Sequence, residues 1–157
     1  MKATPRTGTV GEQHVIDFAH DGMPQIPCTP WMISFQLEAH DEHKKIAEAD
    51  LILITHGHPD HVGDVFSVAR TTGAPVIAIL EFAKLFEEKG LQSVHGINKG
   101  GTINIAGIGV TMVQAVHTSG FEVEGRMIFV GDPAGYVIRL EDGRSLYFAG
   151  DTDVFSD

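Results

Sequence analysis

Leu51-Ile52-Leu53-Ile54 is an unbroken apolar run of four, bounded by Asp50 on one side and Thr55-His56-Gly57 on the other. A run this short, β-branched and without polar relief predicts a strand buried on both faces. Val62, Val65, Phe66 and Ala69 follow at helical spacing, and Gly73 supplies a stop, so one helix is expected there. Residues 75–79 repeat the buried-strand pattern, and Phe82, Leu85 and Phe86 mark a second helix closed by Gly90. Strand, helix, strand, helix in that order predicts parallel βαβ units with helices against a sheet face. Beyond Gly100-Gly101 the period changes to two: Ile103, Ile105, Val110, Met112 and Gln114 alternate. Short strand-like runs follow at 126–130, 135–140 and 145–149, and Asp142-Gly143 is a strong hairpin signal. The second half is therefore expected to be mostly β and antiparallel, and the whole to be an α/β chain with at least six strands. The first 40 residues offer one strand candidate, His14 to Phe18, then Pro24, Pro27 and Pro30, which predict an irregular loop. A short polar helix is expected over 41–48.

Composition narrows the class. A chain of 157 residues, 43% hydrophobic and 20% charged, fits one globular domain over 1–157. No apolar run approaches the roughly 18 residues of a membrane span, and the opening residues lack the order of a signal peptide. Cys28 is the lone cysteine, so no internal disulfide can form, and a reducing cytoplasm is the expected setting. The net charge of −10 argues against nucleic acid and anionic membrane as partners. A small anionic substrate stays open, because bound cations reverse the local field.

Nine histidines are unevenly placed, and three of them fall in Thr55-His56-Gly57-His58-Pro59-Asp60-His61. The segment leaves a buried strand at its C-terminal end, the edge where open α/β sheets place ligands. His56 and His58, two apart in an extended turn, can point the same way, while Asp60 and His61 can face the same cavity as the chain turns into a helix. Imidazole suits zinc, iron and manganese, and carboxylate adds bridging ability. Four ligands this close fit two subsites better than one. At this histidine and aspartate content the pattern arises by accident roughly two times in a thousand. The plain alternative is a loop of solvated histidines. His117 and Asp151 also stand at predicted strand ends. Each alone reads as an ordinary strand-terminal histidine or turn aspartate, and a shared cavity is the simpler account of all three sites together.

The loop His56-x-His58-x-Asp60-His61, then His117, then Gly150-Asp151-Thr152, resembles the metallo-β-lactamase superfamily in its ligand order. Residues 55–64, 96–101, 131–135 and 149–152 look more narrowly like the metal-dependent hydrolases akin to ascorbate 6-phosphate lactonase. The resemblance covers residues 47–157. It implies an αββα sandwich, incomplete at the C-terminus, with two divalent metal ions: zinc first, with manganese, iron or nickel as alternatives. His56, His58 and His117 would hold one ion, Asp60 and His61 the other, and Asp151 would bridge. The family's further histidine on a later strand has no counterpart before Asp157. His14, His20, His40, His43 and His95 are conceivable substitutes without a motif to recommend them. Missing cover on one sheet also predicts a homo-oligomer.

With ions bound, the expected chemistry is hydrolysis. A divalent metal lowers the pKa of its water from 15.7 to about 7, and the resulting hydroxide attacks a carbonyl or phosphoryl centre. Asp60 and Asp151 are the expected catalytic carboxylates, ligands first, with Asp151 also orienting water. Thr118 and Ser119, just past His117, are read as surface-loop residues in preference to hydrogen-bonding partners. The expected substrate is a small ester, lactone or phosphate compound. A metal-binding protein that keeps one ion, a superfamily nuclease and oxygen chemistry at two irons are the competing functions.

Overall fold

The structure, a computed structural model, describes residues 15–16, 32–33 and 48–156. Five strands lie parallel in sequential order: β1 (Val15–Ile16), β2 (Met32–Ile33), β3 (Leu51–Leu53), β4 (Val76–Ile79) and β5 (Val94–Ile97). Helices α1 (Pro59–Val62) and α2 (Val65–Thr72) carry the chain from β3 to β4, and α3 (Leu80–Glu88) carries it from β4 to β5. Parallel strands in sequence order all end at one edge of the sheet.

The two faces of this sheet can be told apart by register. Ala78 of β4 lies beside Gly96 of β5. A Cβ on Gly96 would come within 2.8–3.2 Å of Leu80 and Ala83, so this face carries α3. Ile79 points the other way, against Gly131. On the helix side Phe82 and Phe86 stack at 4.3 Å between ring centroids, and Phe66 of α2 meets Phe86 edge-on at 5.4 Å. Aromatic pairs at these separations add to plain area burial.

A second, antiparallel sheet covers the other face. Its strands are β6 (Thr102–Ile105), β7 (Ile108–Gln114), β10 (Ala134–Arg139) and β11 (Ser145–Phe148), in the order β11-β10-β7-β6. Alternation sets its inner face: Ile108, Val110 and Met112 of β7 and Ala134, Tyr136 and Ile138 of β10 are buried. A two-stranded ribbon, β8 (Gly120–Val123) with β9 (Arg126–Phe129), lies between β7 and β10 in sequence. Among the described residues, then, a helical layer, a parallel sheet and an antiparallel sheet of the expected sandwich are present. Tyr136 joins the two sheets. Its fully buried hydroxyl donates to the carbonyl of Ile54 at 2.7 Å and lies 3.4 Å from that of Ile77.

The expectations need correction in two respects. The single helix read from Val62 to Ala69 is two, because Gly63 takes φ 38°, ψ −122° and breaks the run before Asp64 caps α2. Strands β2, β5 and β8 are additional to the strands expected. In β5 and β8, half-exposed residues and interior or leading glycines dilute the period-two signal. The Asp142-Gly143 hairpin forms, with Leu140 accepting from Gly143 at 3.0 Å and donating to Arg144 at 2.8 Å. The strand expected at 14–18 contains β1. The proline loop, the polar helix over 41–47, Cys28, His14, His20, His40 and His43 lie outside the described residues. No helix among the described residues is long and apolar enough to cross a membrane.

Removing the Tyr136 hydroxyl while keeping its ring isolates the bond between the sheets. Tyr136→Phe is expected to lower unfolding free energy by about 1–3 kcal/mol, measured by urea denaturation, because it withdraws a buried donor from a carbonyl that has little else to pair with.

Candidate metal centre

His56, His117 and Asp151 each stand three residues beyond the end of a strand, β3, β7 and β11 respectively. The two-sheet packing draws these three ends together. Backbone bonds fix the junction. Ala134 at the start of β10 donates to the carbonyl of Thr55 at 2.9 Å. Val116 donates to Thr152 Oγ1 at 2.9 Å and accepts from the Asp153 amide at 2.8 Å. The segment carrying Asp151 is thereby stapled to the one carrying His117. Gly150 is required at its position: φ is +64°, and a Cβ there would meet Thr55 Cβ at 2.9 Å.

The β3 loop delivers two histidines at once. Thr55 Oγ1 lies 3.0 Å from His56 Nδ1. With the ring proton on Nδ1 and donated to that hydroxyl, the Nε2 lone pair faces inward. His56 Nε2 is 3.0 Å from His58 Nδ1. Residue 58 is extended (φ −67°, ψ 147°) and Pro59 opens α1, whose fixed φ suits a first helical turn. One turn later α1 presents His61, buried, and Asp60, half exposed.

The result is two overlapping donor sets. The nitrogens of His56, His58 and His117 lie within 4.8 Å of one another, as do the donor atoms of His56, His61 and Asp151. Asp151 Oδ2 is 3.2 Å from His61 Nε2, 3.8 Å from His117 Nε2 and 4.0 Å from His56 Nε2. It belongs to the second set and reaches His117 of the first, at 45% side-chain exposure. Asp60 Oδ2 lies 3.5 Å from His61 Nε2 but joins neither set. His95, on β5 opposite Ile77, is in neither set. An open depression of about 510 Å³, lined by Val116, His117 and residues 150–153, gives access from solvent.

This donor set fits a divalent cation. Two ligand nitrogens on one tetrahedral zinc stand about 3.3 Å apart, given bonds of about 2.0–2.1 Å, and His56 and His58 are already at 3.0 Å. Two imidazole nitrogens that close can share at most one proton. Burial, together with repulsion from His61, His58 and His117, lowers the His56 pKa from 6.5 to about 4, against a smaller opposing pull from Asp151. The neutral ring is the ligand form. His61 Nδ1 is buried with no hydrogen-bond partner among the described residues.

The family model described as a beta-lactamase superfamily domain matches residues 27–157. The chain belongs to the metallo-β-lactamase superfamily, in its metal-dependent hydrolase branch. A protein of Rubrobacter xylanophilus called UPF0173 metal-dependent hydrolase is 42% identical over 118 residues, 74% of this chain and 49% of that protein. A Methanosarcina barkeri protein of the same description is 37% identical over 143 residues, 91% of this chain and 55% of that one. Among solved structures, Igni18, a metallo hydrolase of Ignicoccus hospitalis, is 35% identical with a TM-score of 0.61, covering 78% of this chain and 49% of that one. The chain thus spans about half the length of the curated relatives it matches.

The structure corrects the reading of Thr118 and Ser119. Ser119 is buried, and its Oγ accepts from the Gly57 amide at 3.2 Å. Thr118 is exposed, yet its Oγ1 lies 3.2 Å from His58 Nε2. The signal was available as hydroxyl residues directly after a candidate ligand, but only the packing of β7 against the β3 loop shows what they reach. Thr55 and Thr152 were likewise unassigned.

The lowered His56 pKa fixes the sign of a pH effect on the metal-free protein. Above pH 6.5 the ring is neutral folded and unfolded, and its contribution is fully present. As pH falls from 6.5 towards 4 the unfolded chain takes up a proton that the fold resists, and stability is lost. The Tm of chelator-treated protein is expected to fall across that window, and a His56→Gln variant to show a flatter slope.

Proposed function

We propose that this chain carries the metal centre of a hydrolase acting on a small ester, lactone or phosphate-containing compound. The observation that supports it best is the meeting of two donor sets at His56, with Asp151 of the second reaching His117 of the first. In this reading His56, His58 and His117 would hold one divalent ion, zinc first and manganese, iron or nickel next. Asp60 and His61 would serve a second ion, and Asp151 would be shared by the two. When bound, such ions polarise a carbonyl or phosphoryl oxygen and lower the pKa of water at neutral pH.

The chain's own residues do the rest. Thr55 fixes the His56 ring so that Nε2 faces inward. Asp151, open to the depression, accepts a hydrogen bond from an incoming water and orients it, while His61 at 3.2 Å steadies the carboxylate. The substrate would enter by the open depression beside His117 and Thr152. Asp60, half exposed and outside both donor sets, favours a second reading, a protein that keeps only the first ion and has little turnover.

A cytoplasmic setting and self-association belong to the same proposal. Met127 and Phe129 of β9 are 63% and 71% exposed, and Tyr147 of β11 is 59% exposed. Apolar surface of this kind favours contact with another chain. Sedimentation is expected to show a species larger than the monomer; a stable monomer at micromolar concentration would remove this part of the proposal.

Metal analysis of the purified chain separates the readings. Two ions per chain with hydrolysis of generic esters or phosphodiesters supports the enzyme; one ion without turnover supports the second reading. His58→Ala is expected to cut bound metal sharply while leaving the circular dichroism unchanged, because His58 is only partly buried. Asp60→Ala is expected to lower metal content too. Unchanged metal stoichiometry in both variants would contradict the assignment.

A further inference from the structure

Three side-chain hydroxyls reach across the site, and two of them come from one tripeptide, His117-Thr118-Ser119. Ser119 is buried, and the partner of its Oγ is the amide of Gly57, the residue between His56 and His58. The contact spans 62 positions in sequence. The same segment forms the wall on which Gly57 rests. A Cβ at Gly57 would stand 2.6 Å from Val130 Cγ2 and 3.0 Å from the Gly120 carbonyl, so the loop lies flat against the chain that follows His117. The next residue along, Thr118, meets the outer nitrogen of His58 at 3.2 Å.

We propose that Ser119 is a positioning residue for the metal centre, holding the His56–His58 loop at a fixed separation from His117 through the Gly57 amide. This rests on the reading that these three histidines bind one ion. The physical case is specific. His56 and His58 sit on the β3 loop, and His117 sits on a different segment after β7. The sheet junction brings the ends of β3 and β7 together, and the Ser119–Gly57 bond ties the two ligand-bearing loops to each other directly beyond the strand ends. The Ser119–Gly57 bond is made within two residues of His117 and one residue of both other ligands, so a shift of either loop is felt there first. Residues that orient metal ligands from behind typically matter by 10–100-fold in affinity.

Zinc affinity tests this, measured by competition with a chromophoric chelator on the whole chain. Thr72→Ala is the control: Thr72 Oγ1 donates to Val68 at 2.8 Å and accepts from the Ala74 amide at 3.1 Å, a comparable hydroxyl on α2, away from the donor sets. Ser119→Ala is expected to bind Zn²⁺ about tenfold or more weakly. Thr72→Ala is expected to lose thermal stability with unchanged affinity. Ser119→Ala that binds Zn²⁺ as tightly as the unmodified chain, with a stability loss like that of Thr72→Ala, would overturn the proposal and leave Ser119 a structural hydroxyl. If Ser119→Ala does not fold, the near-isosteric Ser119→Cys, a poorer acceptor for the Gly57 amide, takes its place, with weaker Zn²⁺ binding expected and equal binding overturning the proposal. An unmodified chain that binds no Zn²⁺ overturns the metal-centre reading itself, and is told apart because it fails before any variant is compared.

Discussion

Strand β3 ends where two carbonyls, those of Ile54 and Thr55, turn away from the parallel sheet and are taken up by β10. Tyr136 donates to the first and Ala134 to the second. An unpaired carbonyl at that depth would cost as much as a lost hydrogen bond. The antiparallel sheet is therefore seated over the end of β3 by the need to satisfy those two groups, and β7 and β11 come with it because they flank β10. His117 and Asp151 reach His56 by this route, from about 60 and 95 positions away in sequence. The site follows from the sheet junction.

A cluster of imidazoles this tight has a cost without a cation. The rings of His58, His61 and His117 lie with centroids 4.2–5.1 Å from that of His56, and repulsion from them when charged helps drive the His56 pKa down. One buried nitrogen, Nδ1 of His61, has no hydrogen-bond partner among the described residues. Natural folds tolerate such local penalties at functional sites and offset them elsewhere. Here the compensation is visible in the apolar core beneath, with Ile52, Val76, Ile77, Met112 and Tyr136 fully buried. The curated relatives that the chain matches over about half their length are called metal-dependent hydrolases.

Most of this was legible in the residues because the informative signals were local. Leu51 to Ile54 announces a buried strand, and the histidine spacing after it announces a ligand loop. Those signals require only a period and a motif. What was not legible depends on partners distant in sequence. The half-buried β5 and β8 carry glycines and few apolar residues, so their identity as strands comes from the neighbours they pair with. Gly63 splits a helix that periodicity alone would run through. Ser119 reads as a surface serine until the β3 loop is laid across it. Asp60 sits in the right motif, yet from α1 its Oδ2 reaches His61 at 3.5 Å without joining either set of mutually close donors.

Anomalous scattering at the zinc, iron and manganese edges, recorded from a crystal of the chain, would examine the arrangement most directly. The account expects a peak within coordination distance of the nitrogens of His56, His58 and His117, with a second beside His61 and Asp151 if both ions are held. A crystal in which the three imidazoles diverge, or in which the ions bind only elsewhere on the surface, would contradict it.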